Sequence, residues 1–332
     1  MSQWGYGLVI GKFRPPHKGH GLLIQTALTH VDRLTVLVCG DATDTIPAAL
    51  RAAWLRELYP ATEVRVVETT GYDPDDSALW AALTQGWLGR APDVVFTSEA
   101  YGDLYAHHLG CAHVAVDPDR RQVPVSGSRI LVRPLAHLDD LEPLVRAHFV
   151  PRVAVVGAES TGKTTLARAL AAHYRTVWAP EYGRAYWDGL LTLSEIDCTT
   201  TDFVHIAESQ RRLEDMLARH ARRVLICDTD ALTTRLWHER YLGTDSPALR
   251  RLAESPRYAL YLLSGDDIPW EDDGTRERAH ERPWFQERFR TALGAQRTPF
   301  ILLSGSPDRR LVAATRAIDR VLAAQGDPLG SA

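Results

Sequence analysis

Apolar residues in the first half of this chain fall in short runs at 7–10, 34–39, 63–67, 94–97 and 113–116. Each run is the length of a buried strand. Between them, at 20–29, 48–59, 77–88 and 100–109, apolar positions recur every three or four residues, the spacing of one helical face. Strands alternating with helices predict a parallel, doubly wound sheet covered on both sides. On such sheets ligands bind beyond the carboxyl ends of the strands.

The same alternation restarts after a break near Pro151. Strands are predicted at 153–156, 176–178, 224–227, 259–263 and 299–303, and helices at 138–149, 163–173, 200–220 and 309–324. A chain of 332 residues exceeds what one core usually organises. The pattern therefore predicts an α/β protein of two doubly wound parallel-sheet domains, residues 1–150 and 151–324. A polar tail with Gly and Pro, 325–332, is predicted to be loose.

Composition changes little: 45% hydrophobic and 24% charged residues are ordinary for a globular protein. The formal charge of −4 gives no electrostatic reason to expect nucleic acid or an anionic membrane as partner. No apolar run is long enough to span a bilayer, and the amino terminus lacks the basic segment of a signal peptide. The four cysteines, Cys39, Cys111, Cys198 and Cys227, are scattered without paired spacing. They read as free thiols in a reducing cytoplasm. The sequence leaves a homo-oligomer open.

The chemistry lies at two strand ends. The first predicted strand runs into Gly11-Lys12-Phe13-Arg14-Pro15-Pro16-His17-Lys18-Gly19-His20. Two histidines at this spacing stand at the first turn of a helix, where backbone N–H groups and the helix dipole favour anions. His17 and His20 are placed to bond phosphate oxygens, Lys12 and Lys18 to neutralise charge, and Gly19 to let the backbone close on a polyphosphate. Such a cradle suits displacement at an α-phosphate with pyrophosphate leaving, a reaction that needs positioning and charge stabilisation.

The second motif, Gly157-Ala158-Glu159-Ser160-Thr161-Gly162-Lys163-Thr164-Thr165, follows the strand at 153–156. Successive N–H groups from Gly157 through Gly162 form a nest for a β-phosphate. Lys163 bridges β- and γ-oxygens, and Thr164 offers its hydroxyl to Mg²⁺. Further on, Val224-Leu225-Ile226-Cys227 ends in Asp228, with Asp230 two residues later. On an extended segment the two acids face the same side. One would bind the metal and the other accept a substrate proton, and the sequence does not say which.

The first motif resembles that of the HxGH nucleotidyltransferases and, within them, the NadR family. Agreement continues at Ile46-Pro47, Leu50-Arg51, Trp54-Leu55, Thr97-Ser98-Glu99, His108-Leu109-Gly110 and Val116-Asp117-Pro118. The late I-S-G-T-x-I-R signature corresponds to Val125-Ser126-Gly127-Ser128-Arg129-Ile130-Leu131, so its arginine is Leu131 here. The resemblance implies ATP contacts at Ser126 and Ser128, with Arg129 or Arg133 left to supply the missing charge. It implies a nicotinamide pocket at Trp80.

The second half resembles the family's ribosylnicotinamide kinase domain at Glu181-Tyr182-Gly183-Arg184, Asp228-Thr229-Asp230 and the loop from Pro269-Trp270 to Arg276. From this likeness Glu181, Tyr182 and Arg184 are expected in a turn holding the riboside, Trp270 stacking on its base. Arg276, Arg278 or Arg282 is expected to swing onto the transferring phosphoryl group. The resemblance implies ATP with Mg²⁺, nicotinamide riboside, nicotinamide mononucleotide (NMN) and NAD as small-molecule partners. It also implies the form without a helix-turn-helix domain, because the chain begins at the first catalytic strand.

Overall fold

The computed structural model describes residues 2–191, 198–255, 257–269 and 279–326. It divides into two compact units, Met1–Val145 and Arg146–Ala332. In the first, strands β1 (Trp4–Gly11), β2 (Val31–Gly40), β3 (Glu63–Glu68), β4 (Val94–Thr97) and β5 (Ala112–Ala115) form one all-parallel sheet in the order β3-β2-β1-β4-β5. The intervening helices are α1 (Lys18–His30), α2 (Ala48–Leu58), α3 (Ser77–Leu88) and α4 (Gly102–Leu109), with α5 (Gly127–Val132) after the last strand; α6 (Pro143–Phe149) runs through the boundary between the units.

Period-two alternation sorts the sheet's residues onto two faces. Val9, Val36 and Val38 pack with Leu23, Ile24 and Ala27 of α1 on one side. Leu8, Ile10, Leu37 and Cys39 pack with Ala81 of α3 and Tyr105 of α4 on the other. Both faces are buried, which is why β1 and β2 read as unbroken apolar runs. Each strand is longer than its run, since the ladder already pairs Trp4 with Val31.

One expected element is split. The helix predicted over 138–149 is a 3₁₀ segment, Pro134–Asp140, followed by α6. Pro143 has no N–H to continue a helix and disfavours helical backbone in the residue before it. The break itself falls at Leu141, two residues before that proline; Leu141 caps the 3₁₀ segment in an extended conformation, φ −108°, ψ 144°.

The second unit contains β6 (Arg152–Val156), α7 (Lys163–Tyr174), β7 (Trp178–Ala179), α8 (Tyr182–Leu191), α9 (Thr200–Ala218), β8 (Leu225–Asp228), α10 (Ala231–Leu242), α11 (Pro247–Glu254), β9 (Leu260–Ser264), α12 (Arg282–Gly294), β10 (Phe300–Leu303) and α13 (Pro307–Ala324). Its sheet is also parallel, ordered β10-β9-β6-β8-β7. Ala154, Val156, Tyr261 and Leu263 pack against Leu232, Leu236, Phe285 and Phe289 of α10 and α12. Among the described residues no helix is long and apolar enough to cross a membrane. All four cysteines are free, and burial pushes the Cys39 thiol up to about 12.

Candidate active sites

In the first unit the strand order reverses between β1 and β4, so the loops leaving these strands diverge and open a crevice. A cavity of about 560 Å³ lies there. Gly11, Lys12, Phe13, Arg14, His17, Gly19 and His20 contribute from the β1 side, and Thr97, Ser98 and Glu99 from the end of β4. Trp80 comes in from α3, and Ser126, Gly127, Ser128 and Leu131 from the start of α5.

His17 is the N-cap of α1, and its backbone N–H donates to His20 Nδ1 at 3.3 Å. A neutral imidazole that accepts at Nδ1 carries its proton on Nε2, leaving that N–H to donate elsewhere. The two rings stack with centroids 3.8 Å apart. Burial, reinforced by the Arg120 charge, lowers His17 to about 4 and holds His20 well below its ordinary value. Both are therefore neutral donors and acceptors at neutral pH. A side chain at Gly19 would meet the His17 ring at 3.0 Å, and one at Gly127 would strike the Arg14 carbonyl at 2.4 Å. At Gly127 it is backbone that packs too closely for a side chain, whereas at Gly19 it is the His17 ring.

Phe13 is fully buried, with its ring 4.8 Å from that of His20. It shapes the cradle from behind. Trp80 donates from Nε1 to the Asp73 carbonyl at 2.7 Å and packs edge-on to Tyr72 and Trp87. Its indole is thereby fixed while it lines the cavity. Two expected contributors stand elsewhere: Lys18 and Arg129 are exposed and outside the cavity wall. The first turn of a helix points neighbouring side chains in different directions, and Ser126 caps α5 by accepting from the Arg129 N–H at 3.4 Å.

Sequence reasoning gave no role to Arg51, which is 0% exposed. It donates to the carbonyls of Ile46 (2.9 Å), Cys39 (3.0 Å) and Lys12, and pairs with Asp44, which also holds Arg14. A charge-assisted network of this kind fixes the loop after β1. An arginine on the apolar face of α2 was the signal available in the sequence.

In the second unit the loop after β6 has left-handed backbone at Ser160 (φ 54°) and Gly162 (φ 79°), and Gly157 lies at φ 142°. A Cβ on Gly157 would sit 2.8 Å from the Ser264 carbonyl. Lys163 Nζ and Thr161 Oγ1 each donate to the Ala158 carbonyl at 2.8 Å, closing the loop on itself. Glu159 and Ser160 are half-buried in the loop, and Thr165 is exposed on the first turn of α7. Thr164 Oγ1 donates to Asp228 Oδ2 at 2.5 Å, so P-loop and β8 meet. Asp228 Oδ1 is buried with no partner, and burial raises this carboxyl to about 6. An orphaned carboxylate oxygen beside a threonine hydroxyl is a donor set that fits Mg²⁺.

Asp228, the last residue of β8, and Asp230 do not face the same side. Thr229 takes φ +67°, which ends the extended alternation. Asp230 then becomes the N-cap of α10, accepting from Thr233 N–H (2.9 Å) and Oγ1 (3.0 Å) and from the Tyr261 hydroxyl (2.9 Å). Both of its oxygens are engaged and it is 1% exposed. Nor is the stretch from Glu181 to Arg184 a turn: Tyr182 begins α8, its N–H donating to Gln210 Oε1 at 2.8 Å. A helix N-terminus needs such a partner, and α9 provides it. Glu181 and Arg184 pair at 3.8 Å, and both bear electrostatically on Asp228. Arg282 donates to the Ile268 carbonyl at 3.1 Å from both terminal nitrogens. Trp270, Arg276 and Arg278 lie outside the described residues.

Two family models match separate stretches of the chain. Residues 8–133 match the Cytidylyltransferase-like family and residues 152–310 match the AAA domain family. The trifunctional NAD biosynthesis/regulator protein NadR of Escherichia coli (strain K12) is 32% identical, with 81% of this chain and 71% of that protein aligned. The chain belongs to the NadR family. The NadR of Salmonella typhimurium (strain LT2) is 29% identical over 98% of this chain and 85% of its own length. Among solved structures, a NadR protein in complex with NR superposes with TM-score 0.77 at 22% identity, each chain covered to 97%. A NadR protein in complex with NAD and AMP-PNP gives 0.76. At that identity the likeness is one of fold, and it spans both units of this NadR-family chain.

Proposed function

We propose that this protein is a bifunctional transferase of NAD biosynthesis. Its P-loop unit phosphorylates nicotinamide riboside with ATP to give NMN. Its amino-terminal unit transfers the adenylyl group of a second ATP to NMN, giving NAD and pyrophosphate. The observation that carries this reading is one NadR-family chain bearing both a paired-histidine cavity and a P-loop whose Thr164 hydroxyl meets Asp228.

In the first site His17 and His20, with Lys12 and the Ser126 and Ser128 positions, hold the triphosphate so that its α-phosphorus faces the phosphate of NMN. Charge builds on phosphate oxygens in the transition state, and prearranged N–H donors stabilise it without reorganisation. Trp80 offers a fixed flat face to the nicotinamide. In the second site the loop 157–162 cradles the β-phosphate of ATP, and Lys163 exchanges the Ala158 carbonyl for phosphate oxygens. Thr164 and Asp228 are the residues that would hold Mg²⁺, whose charge neutralises the β- and γ-phosphates. Glu181 and Arg184 orient the riboside. Asp230 positions α10 and Tyr261. The protein works in the cytoplasm on small molecules, without nucleic acid or membrane.

The deciding experiment supplies nicotinamide riboside and ATP to the full chain and identifies products by mass spectrometry. Wild type yields NMN and NAD. Lys163→Ala makes NAD only from added NMN, and His17→Ala/His20→Ala stops at NMN. A wild-type protein that phosphorylates the riboside but makes no NAD from NMN reduces the first unit to a nucleotide-binding sensor, the reading favoured by Leu131, which lines the cavity without a donor.

A further inference from the structure

The first cavity contains a cation that neither motif includes. After β5 the chain makes a turn in which both Asp117 (φ 48°) and Arg120 (φ 51°) take left-handed backbone. Non-glycine residues hold that conformation only when their surroundings fix it. Here the Asp117 carboxylate accepts from the N–H groups of Arg121 (2.8 Å), Gln122 (3.1 Å) and Val123 (3.0 Å), and the Arg120 N–H donates to the Asp117 carbonyl at 2.8 Å. A turn closed on itself in this way delivers the Arg120 side chain to the cavity wall. Its Nη2 bonds Glu99 Oε1 at 2.9 Å and its Nη1 reaches the Val125 carbonyl at 3.5 Å.

Other guanidinium groups near the cavity are placed differently. Arg14 pairs with Asp44, a buried carboxylate already shared with Arg51. Helix α5 turns Leu131 to the cavity and keeps Arg129 and Arg133 off its wall. The charge on Arg120 is felt by His17 and His20 alike. Its partner Glu99 is half-exposed, and pairs of that kind are weak. A triphosphate offers a stronger, bidentate partner for the same planar group.

We propose that Arg120 is a phosphate-binding residue of the adenylyl-transfer site. On ATP binding its guanidinium exchanges Glu99 for the triphosphate beside His17 and His20. The proposal rests on the adenylyl-transfer reading of this cavity.

The test is pyrophosphate release from ATP and NMN by the full chain carrying Lys163→Ala, which silences the second site. In that parent Arg120→Ala lowers kcat/KM for ATP about 100-fold, chiefly through KM, while Arg120→Lys retains an intermediate value. Adding Leu131→Arg to Arg120→Ala returns a guanidinium to the wall and recovers at least 10-fold. Recovery separates a charge acting on ATP from a turn that merely keeps its shape. Unchanged kinetics in Arg120→Ala overturn the proposal, as does an equal loss in Arg120→Lys with no recovery from Leu131→Arg. A parent that releases no pyrophosphate overturns the adenylyl-transfer reading itself.

Discussion

Arg310 Nη1 donates to the carbonyl of Thr161 at 3.0 Å, joining α13 to the P-loop across 149 residues of sequence. The same side chain, 4% exposed, donates to the carbonyls of Gly305 (2.9 Å) and Gly265 (3.1 Å) and pairs with Asp267. One guanidinium thus fixes the phosphate loop, the end of β9 and the start of α13. Arg310→Ala should destabilise the second unit by about 3 kcal/mol, since buried carbonyls lose their donor. In whatever folds, KM for ATP in the kinase reaction should rise about tenfold. Thermal unfolding and kinase kinetics check this, and an unchanged Tm would refute the fastening role.

Asp228 makes a signed pH prediction. Burial raises its folded-state value to about 6 against an ordinary 3.8, so between those values the folded state holds a proton that the unfolded chain releases. The empty protein therefore loses stability as pH rises through this window, by about 3 kcal/mol in total. Asp228→Asn carries no such charge and should gain on wild type between pH 4 and pH 7 while kinase turnover falls at least 100-fold. Parallel Tm-against-pH curves for the two proteins would contradict it.

Asp230 behaves differently because both of its oxygens are already used. Asp230→Asn should keep kinase kcat within about tenfold of wild type, while loss of the charged cap costs about 1 kcal/mol. A kcat loss as deep as that of Asp228→Asn, at unchanged stability, would instead make Asp230 the acceptor of the substrate proton.

His17 predicts proton uptake. Its free value of about 4 leaves it neutral at pH 6, and a triphosphate beside it favours the charged form. The complex then binds more protons than the free protein, so ATP affinity at the first site should increase as pH falls from 7 toward 5. In the unliganded protein the depressed value has the opposite consequence. The unfolded chain takes up a proton below about 6.5 while the fold does not until about 4, so stability falls across that interval. Calorimetry in buffers of different ionisation enthalpy, on Lys163→Ala with and without His17→Ala, measures the uptake. Equal proton counts for both proteins would exclude His17 as its source.

Much of this was legible in order and spacing. Both sheets follow from short apolar runs between helical patterns, because a strand buried on both faces has no polar side to show. His17, His20, Lys163 and Thr164 were recognisable because each sits at a fixed distance from a strand end. Arg120 and Arg310 were not, since an arginine far along the chain carries no local mark of the carbonyl or carboxylate it will meet. Asp230 misled for a related reason: whether its segment is extended depends on the backbone of Thr229, which α10 and β9 decide by capping and packing.

By itself the sequence determined two turns of the kind proposed to cradle phosphate, since a Gly-rich or His-bearing turn between strand and helix creates its N–H groups locally. Only the tertiary structure decided which charges face those turns. Asp228 meets Thr164, Asp230 meets Tyr261, Arg120 meets Glu99 and Arg310 meets Thr161, each from a distant part of the chain, and distance in space, not in sequence, sets electrostatic and hydrogen-bond energies.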